Sequence, residues 1–276
     1  MKQNTVFPLF LLLLVLNACN RMQGNSFVPA IPEYEGNQRQ MTMLKRPLRE
    51  ISGIDFIDNN TLAAVNDEAG KLFFVNPDNG KYTVEEFGKK GDYEDLVKAG
   101  DSYYILLSDG TIVQVSADGK RQEAIYSYDF GKHMEFESIC YDKAAQQLLL
   151  ICKQCGKNPN SINAYRFNLA TKQYLPGTSF SIPWSEIRAM AKDNSIECKP
   201  SAAAINPRNG KLYIIASLGK VLLECSPGGK LEAVYGLNPD HFPQPEGITF
   251  SPEGDLYIAN EGMQGKATLL KYSYRR

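Results

Sequence analysis

Gln244-Pro245-Glu246-Gly247-Ile248-Thr249-Phe250, followed by Leu256-Tyr257-Ile258-Ala259, is the stretch from which the fold can be read. A turn-like opening leads into a short strand, and a second, almost wholly apolar run follows. Four upstream segments share that opening: Ile51-Ser52-Gly53-Ile54, Tyr93-Glu94-Asp95-Leu96, Phe136-Glu137-Ser138-Ile139 and Pro200-Ser201-Ala202-Ala203. With Ser52, Glu94, Glu137, Ser201 and Glu246 as equivalent positions, the intervals are 42, 43, 64 and 45 residues. A period of about 40 to 45 residues is that of a four-stranded propeller blade.

The other strands recur in step. The second runs as 61–65, 103–107, 148–152, 212–216 and 256–259, short apolar runs that suit strands buried on both faces. The third runs as 72–75, 112–115, 162–165, 221–224 and 269–272. The first four of these meet turn chemistry such as Asn76-Pro-Asp-Asn-Gly80 and Ala117-Asp-Gly119, because Gly and Asn tolerate the positive φ of tight hairpins. Outer strands follow near 82–87, 121–127, 173–180 and 231–235. The fifth segment stops at Arg276, one strand short, and Met41–Arg46 can supply the missing strand. Closing the ring in this way removes two open sheet edges. The pattern therefore predicts an all-β, five-bladed propeller. A six-bladed ring is the alternative, with the extra blade in the 64-residue interval. The stretch 181–199, with Pro183-Trp184 and Met190-Ala191, reads instead as a helical or irregular insertion.

The start of the chain predicts a compartment. Lys2 precedes an apolar run from Phe7 to Leu16, and Leu16-Asn17-Ala18-Cys19 closes it. A run of about ten apolar residues is too short to span a bilayer, which needs ~20, and reads as a signal-peptide core. Cys19 behind a small residue resembles a lipobox, where the thiol is acylated. Residues 1–19 are thus expected to be a lipoprotein signal peptide. Residues 20–40, polar and holding Gly24, Pro29, Pro32 and Gly36, are expected to be a flexible tether, and 41–276 the propeller. Each buried methylene of an anchor contributes about 0.8 kcal/mol. The expectation is a lipid-anchored monomer on the periplasmic or cell-surface face of a bacterial membrane. The net charge of −1, without an extended basic block, argues against nucleic acid.

Five cysteines remain after Cys19: Cys140, Cys152, Cys155, Cys198 and Cys225. They cannot all pair within one chain. Cys152-Lys-Gln-Cys155 has redox or zinc spacing but ends a strand, so a structural disulfide such as Cys155–Cys198, or simply buried thiols, is favoured.

In an up-and-down blade, the loop entering the first strand and the loop after the second lie on one face. The openings supply Glu94, Asp95, Glu137 and Glu246, and the second strands end at Asn66-Asp67-Glu68, Lys153 and Asn260-Glu261. His133 and His241 fall in entering loops. Carboxylates aimed at one axis repel each other unless a cation or protons neutralise them. Carboxylate, amide and backbone oxygens are calcium's ligand set, and the expected metal residues are Glu94, Glu137, Glu246, Asn66, Asn260, Asp95 and Glu261. Asp67, Glu68, Lys153, His133 and His241 complete the central mouth. In the competing reading, the glutamates accept backbone hydrogen bonds from neighbouring blades and stitch the ring. Asn66 and Asn260 equally suit turns, and the histidines suit loop surfaces.

Val65-Asn-Asp-Glu-Ala-Gly70, Gly91-Asp-Tyr-Glu-Asp-Leu96, Phe136-Glu-Ser-Ile139, Pro200-Ser-Ala-Ala-Ala-Ile205, Gln244–Phe250 and Ile258-Ala-Asn-Glu-Gly262 together resemble the SdiA-regulated family over essentially all of 41–276. The resemblance implies a five-bladed propeller, anchored to a membrane at its N-terminus, that holds a calcium ion. It implies no established activity. Lys153 and Ser201 depart from an all-acidic ring. A binding or scaffold module for a small-molecule or protein ligand is the favoured function. A calcium-dependent lactonase, esterase or phytase-like hydrolase is the alternative. No catalytic residue is assigned, because no Ser-His-Asp arrangement is legible. A redox role for Cys152 and Cys155 ranks last.

Overall fold

The protein, described here from a computed structural model over residues 25–156 and 160–275, is a ring of five antiparallel sheets. Blade 1 is Ile51–Asp58, Thr61–Asn66, Lys71–Val75 and Tyr82–Glu86. Blade 2 is Tyr93–Ala99, Ser102–Leu107, Ile112–Ser116 and Gln122–Tyr126. Blade 3 is Met134–Asp142, Gln147–Cys155 and Ser161–Asn168, with an outer strand split into Gln173–Tyr174 and Phe180–Pro183. Blade 4 is Lys199–Ile205, Leu212–Leu218, Val221–Cys225 and Leu231–Leu237. Blade 5 is Pro245–Phe250, Leu256–Asn260 and Thr268–Tyr272, completed by Gln40–Met43. The N-terminal strand thus closes the ring where the repeat count left a gap, pairing Met41 with Leu270 and Met43 with Thr268. The five inner strands pack against one another in cyclic order.

Each sheet buries both faces because its neighbours supply the covering side chains. The apolar residues accordingly divide into five clusters, one between each pair of adjacent blades. Leu96, Tyr103 and Ile105 of blade 2 meet Ala63, Val65 and Leu72 of blade 1, for example. The long interval holds no sixth blade. Between Pro183 and Lys199 lies one helix, Trp184–Ala191, which buries Trp184 and Ile187 at i, i+3 spacing and ends where Lys192 turns to φ 56°.

Two expectations need correction. The tether predicted for 20–40 does not extend through the described residues 25–39. Phe27–Val28 adds a fifth strand to blade 4, and Phe27, Ile31 and Tyr34 are buried in the cluster between blades 4 and 5. Three large apolar side chains spaced between prolines were enough to fix the segment. The Cys155–Cys198 pairing also fails. Cys155 is joined to Cys152 by a disulfide at the end of the second strand of blade 3, and Cys140, Cys198 and Cys225 are buried free thiols.

A belt of polar side chains ties the inner strands together. Asp55 accepts hydrogen bonds from Lys98 N of blade 2 (2.7 Å) and from Thr249 Oγ1 of blade 5 (3.0 Å). Asp95 accepts from Leu96 N (2.8 Å) and from Ile139 N of blade 3 (2.9 Å). Ser52 Oγ donates to Tyr93 O and Ser201 Oγ to Pro245 O, each reaching the next blade. Between blades 3 and 4, Arg166 bridges Asp142 and Pro227 O. Gly53 leaves the room Asp95 needs, since a Cβ there would stand 2.4 Å from its Oδ1.

Replacing Asp95 by Ala strands two buried amide donors, and each unsatisfied buried donor costs about 1–3 kcal/mol. Asp95→Ala should therefore lower the urea unfolding free energy by roughly 2 kcal/mol or more, and Asp95→Asn by less, since it keeps an acceptor. An unchanged unfolding midpoint in both variants would show that the belt carries no stability.

Candidate functional site

At the same point near the start of each inner strand, one residue has no partner across the ladder. The pairing steps from Ile51 to Gly53, Tyr93 to Asp95, Phe136 to Ser138, Pro200 to Ala202 and Pro245 to Gly247, each against consecutive residues of the second strand. The skipped residues are Ser52, Glu94, Glu137, Ser201 and Glu246, the same five that align the sequence repeats. A β-bulge bends its strand and re-aims the extra side chain, and here all five line one cavity.

That cavity, about 300 Å³, is the central mouth. Besides the bulged residues it is lined by Glu50, Asp67, Asp92, Glu135, Lys153, Gln244 and Glu261. Eight carboxylates therefore surround one ammonium among the described residues. Lys153 Nζ bonds Glu137 and lies 3.6 Å from Glu135. Gln244 donates to Glu261. On the opposite side of the mouth, Asp67 Oδ1 is buried with no hydrogen-bond partner. The other end of the channel is mixed in character, with Ile54, Val97, Ile139, Ala203 and Ile248 beside Asp55, Lys98, Lys143 and Thr249.

Burial and mutual repulsion hold several of these acids partly protonated near neutrality. Burial, then Glu137 and Asp92, push Glu94 up to about 8. Burial raises Glu137 to about 7 despite Lys153, with Glu246 adding to the rise. Glu246 also reaches about 7, mainly through burial, against the pull of Ser217, Gln244 and Lys153. Asp67 and Glu261 are raised by burial and by nearby carboxylates, Glu50 in both cases. For Lys153, burial works against the charge, yet Glu137, Glu135 and Glu246 outweigh it and hold the ammonium above its usual value.

Of the residues singled out from sequence, the fold brings Glu94, Glu137, Glu246, Glu261, Asp67 and Lys153 to the mouth. It places the others elsewhere. Asp95, one position past the bulge, points sideways into the belt and accepts two amides. Asn66 serves a turn, donating to Pro47 O and accepting from Ala69 N. Asn260 donates to His241 O and Thr268 Oγ1. Glu68 is exposed, 4.0 Å from Lys90. His133 lines a separate rim cavity with Asp92 and Asp109, and His241 Nδ1 lies 3.0 Å from Ser26 Oγ. Stitching through backbone groups falls to Asp55, Asp95, Ser52 and Ser201, and among the described residues Glu94, Glu137 and Glu246 accept no backbone amide. Cys19 lies outside the described residues.

The sequence reasoning missed Glu50, Asp92, Glu135 and Gln244. Each stands two residues before a bulged position, and alternate residues of a strand share a face. Stepping back two residues from the aligned openings would have found all four, with Lys199 as the fifth equivalent.

A model of the SdiA-regulated family matches residues 33–263. Among solved structures, the chain is similar to a glutaminyl cyclase from Myxococcus xanthus at 13% identity, covering 86% of this chain and 96% of that one with a TM-score of 0.57. It is also similar to a luciferin-regenerating enzyme at 12% identity, covering 85% and 95% of the two chains with a TM-score of 0.52. A structural-genomics protein of unknown function from Bacteroides thetaiotaomicron is similar at 17% identity, covering 80% and 57%, with a TM-score of 0.50. At these identities the likeness carries the fold alone. No curated protein matches the chain.

A carboxyl whose pKa is raised by folding stabilises the fold while protonated and loses that contribution as pH rises through the folded value. Glu94, Glu137 and Glu246 start from 4.5 and reach about 8, 7 and 7. The metal-free protein should therefore melt at a lower temperature at pH 8.5 than at pH 5.5 by this contribution. Glu94→Gln should flatten the slope between about pH 7 and 8, as the linkage requires. A melting temperature that rises across the same interval in both proteins would contradict the mouth electrostatics.

Proposed function

The chain belongs to the SdiA-regulated family, and from that premise we propose that it is a lipid-anchored envelope propeller whose mouth binds a divalent cation, calcium, and with it a ligand. The observation that carries the reading is the imbalance at the mouth: eight carboxylates, one ammonium, and a buried Asp67 oxygen with nothing to accept from. The donor set fits a hard ion, because every free donor there is oxygen, and calcium takes six to eight oxygens in adaptable geometry. No three acidic, histidine or cysteine side chains converge on one point among the described residues, so water or ligand oxygens would complete the shell.

Lys153 divides the mouth. It ties up Glu137 and Glu135 on blade 3, so Asp67, Glu246, Glu261 and Glu94 are the residues that would hold the ion. Asn66 and Asp95 have committed their oxygens elsewhere and take a smaller part in this reading than they did in the sequence, whereas Asn260 has committed only its amide donors and keeps a buried Oδ1 without a partner. When bound, calcium supplies charge neutralisation and a Lewis-acidic position. The residues themselves orient an incoming polar group: Lys153 offers a cation to an anionic ligand, while Ser52 and Ser201 are occupied by backbone bonds. The anchor at Cys19, the envelope location, a monomeric state and a small-molecule or protein ligand complete the proposal. Nucleic acid is poorly suited to so acidic a mouth.

One observation favours hydrolysis as a second reading. Glu94, Glu137 and Glu246 exchange protons near neutrality, which is what general acid–base catalysis needs. Both histidines lie off the mouth, so any such chemistry would rest on the glutamates.

Elemental analysis of the purified protein should return calcium, and a chelator should lower its melting temperature. Asp67→Asn and Glu246→Gln should weaken calcium retention, whereas Asp95→Asn should weaken stability and leave retention intact. Metal-free protein that ignores added calcium would end the cation reading. Turnover in a screen of lactones, esters and phosphates, lost in Glu94→Gln, would replace the binding module with the hydrolase.

A further inference from the structure

The described chain begins beside the mouth. Phe27–Val28 pairs with Leu237 and Gly236, where the outer strand of blade 4 turns toward the opening of blade 5. Ser26 O accepts from Asn238 N, and Ser26 Oγ meets His241, both in that entering loop. From Cys19 to Asn25 there are six residues, which at about 3.3–3.6 Å each span roughly 20 Å at full extension. An anchor at Cys19 therefore holds the mouth side of blade 4 close to the membrane, and the far side of the ring away from it.

The surface on that side suits a bilayer. Val28 and Leu218, 66% and 50% exposed, stand at the mouth end of blade 4, beside a largely apolar cavity of about 550 Å³. Met43 and Met263, 49% and 57% exposed, occupy the same end of blade 5. Between blades 5 and 1, a second cavity of about 320 Å³ is lined by Met43, Lys45, Arg46, Arg49 and Lys266. Arg49 is paired with Glu50. Lys45, Arg46 and Lys266 are exposed and have no carboxylate within 4.0 Å among the described residues. Large apolar side chains beside unpaired cations are the chemistry of an anionic lipid interface.

Resting on the anchor reading above, we propose that the mouth-side rim of blades 4, 5 and 1 docks on anionic lipid, with Val28, Leu218, Met43 and Met263 entering the headgroup region and Lys45, Arg46 and Lys266 meeting its phosphates. The mouth then opens toward the bilayer, and its ligand is taken from, or close to, the membrane surface. The short leash selects which face docks, and the rim chemistry holds it there.

The test uses the full-length protein isolated with its N-terminus intact and inserted in vesicles of phosphatidylethanolamine and phosphatidylglycerol. Single cysteines at Leu218→Cys and Met263→Cys carry a polarity-sensitive dye, with Asp101→Cys in the opposite-face hairpin of blade 2 as the control. The native thiols Cys140, Cys198 and Cys225 are buried and Cys152 and Cys155 are bonded, so the dye reports the introduced site. The two rim probes should shift to the blue and be quenched by quencher-bearing lipid, and the Asp101 probe should do neither. The combined K45E, R46E and K266E variant, high salt, or vesicles of phosphatidylcholine alone should abolish rim quenching, because charge attraction to lipid is screened by salt. Mass analysis of the mature N-terminal peptide separates the two readings. Acylated protein with unquenched rim probes overturns the docking alone, and an N-terminus without acyl mass overturns the anchor and the docking with it. Rim probes shielded from water-borne quencher but untouched by lipid quencher would assign the rim to a protein partner instead.

Discussion

The ring depends on one skipped residue near the start of every inner strand. Because the ladder passes over Ser52, Glu94, Glu137, Ser201 and Glu246, five side chains are turned out of it and into the channel. The bulge does two things at once. It aims Glu94, Glu137 and Glu246 at the axis, and it frees the next residue to face the neighbouring blade, where Asp95 and Gly53 meet. The same local irregularity thus makes both the acidic mouth and the belt that resists its repulsion.

That arrangement places a large electrostatic cost beside a strong mechanical tie. The belt acids are buried and bonded: Asp55 is raised to about 6 by burial even though three donors bond it, and burial holds Asp95 well above its usual value. The mouth acids keep their lone pairs facing the cavity. Lys153 offsets only the blade 3 side, and it sits between the two bonded cysteines, so the disulfide restrains the backbone that delivers the ammonium. The result is an asymmetric mouth, its negative charge offset in part at blade 3 and uncompensated across blades 5 and 1.

The fold was legible because burial on both faces leaves a clear trace. The second and third strands, read as apolar runs, match the observed strands to within a few residues, and Met41–Arg46 was recognised as the closing strand that the structure draws as Gln40–Met43. The insertion was also legible, since Trp184 and Ile187 carry a helical spacing. What escaped was information that depends on direction. Sequence spacing located the mouth residues Glu94, Glu137 and Glu246 but could not tell that Asp95, one residue on, points sideways. It passed over Glu50, Asp92, Glu135 and Gln244 because the two-residue period was applied to the core and not to the loop ends. Phe27, Ile31 and Tyr34 were overlooked because their spacing fits no regular element, although the groove between two blades accepts them singly.

Blade 5 is assembled from the two extremes of the chain, Gln40–Met43 and residues 245–272. A polypeptide delivered N-terminus first must therefore keep an unpaired strand waiting while roughly two hundred residues follow it, and pairings so far apart in sequence form slowly. Four blades can take shape during that delay, but the circle stays open, with two bare sheet edges exposed to other chains. Completion of the ring is a single late event, and any truncation near the C-terminus leaves an open crescent.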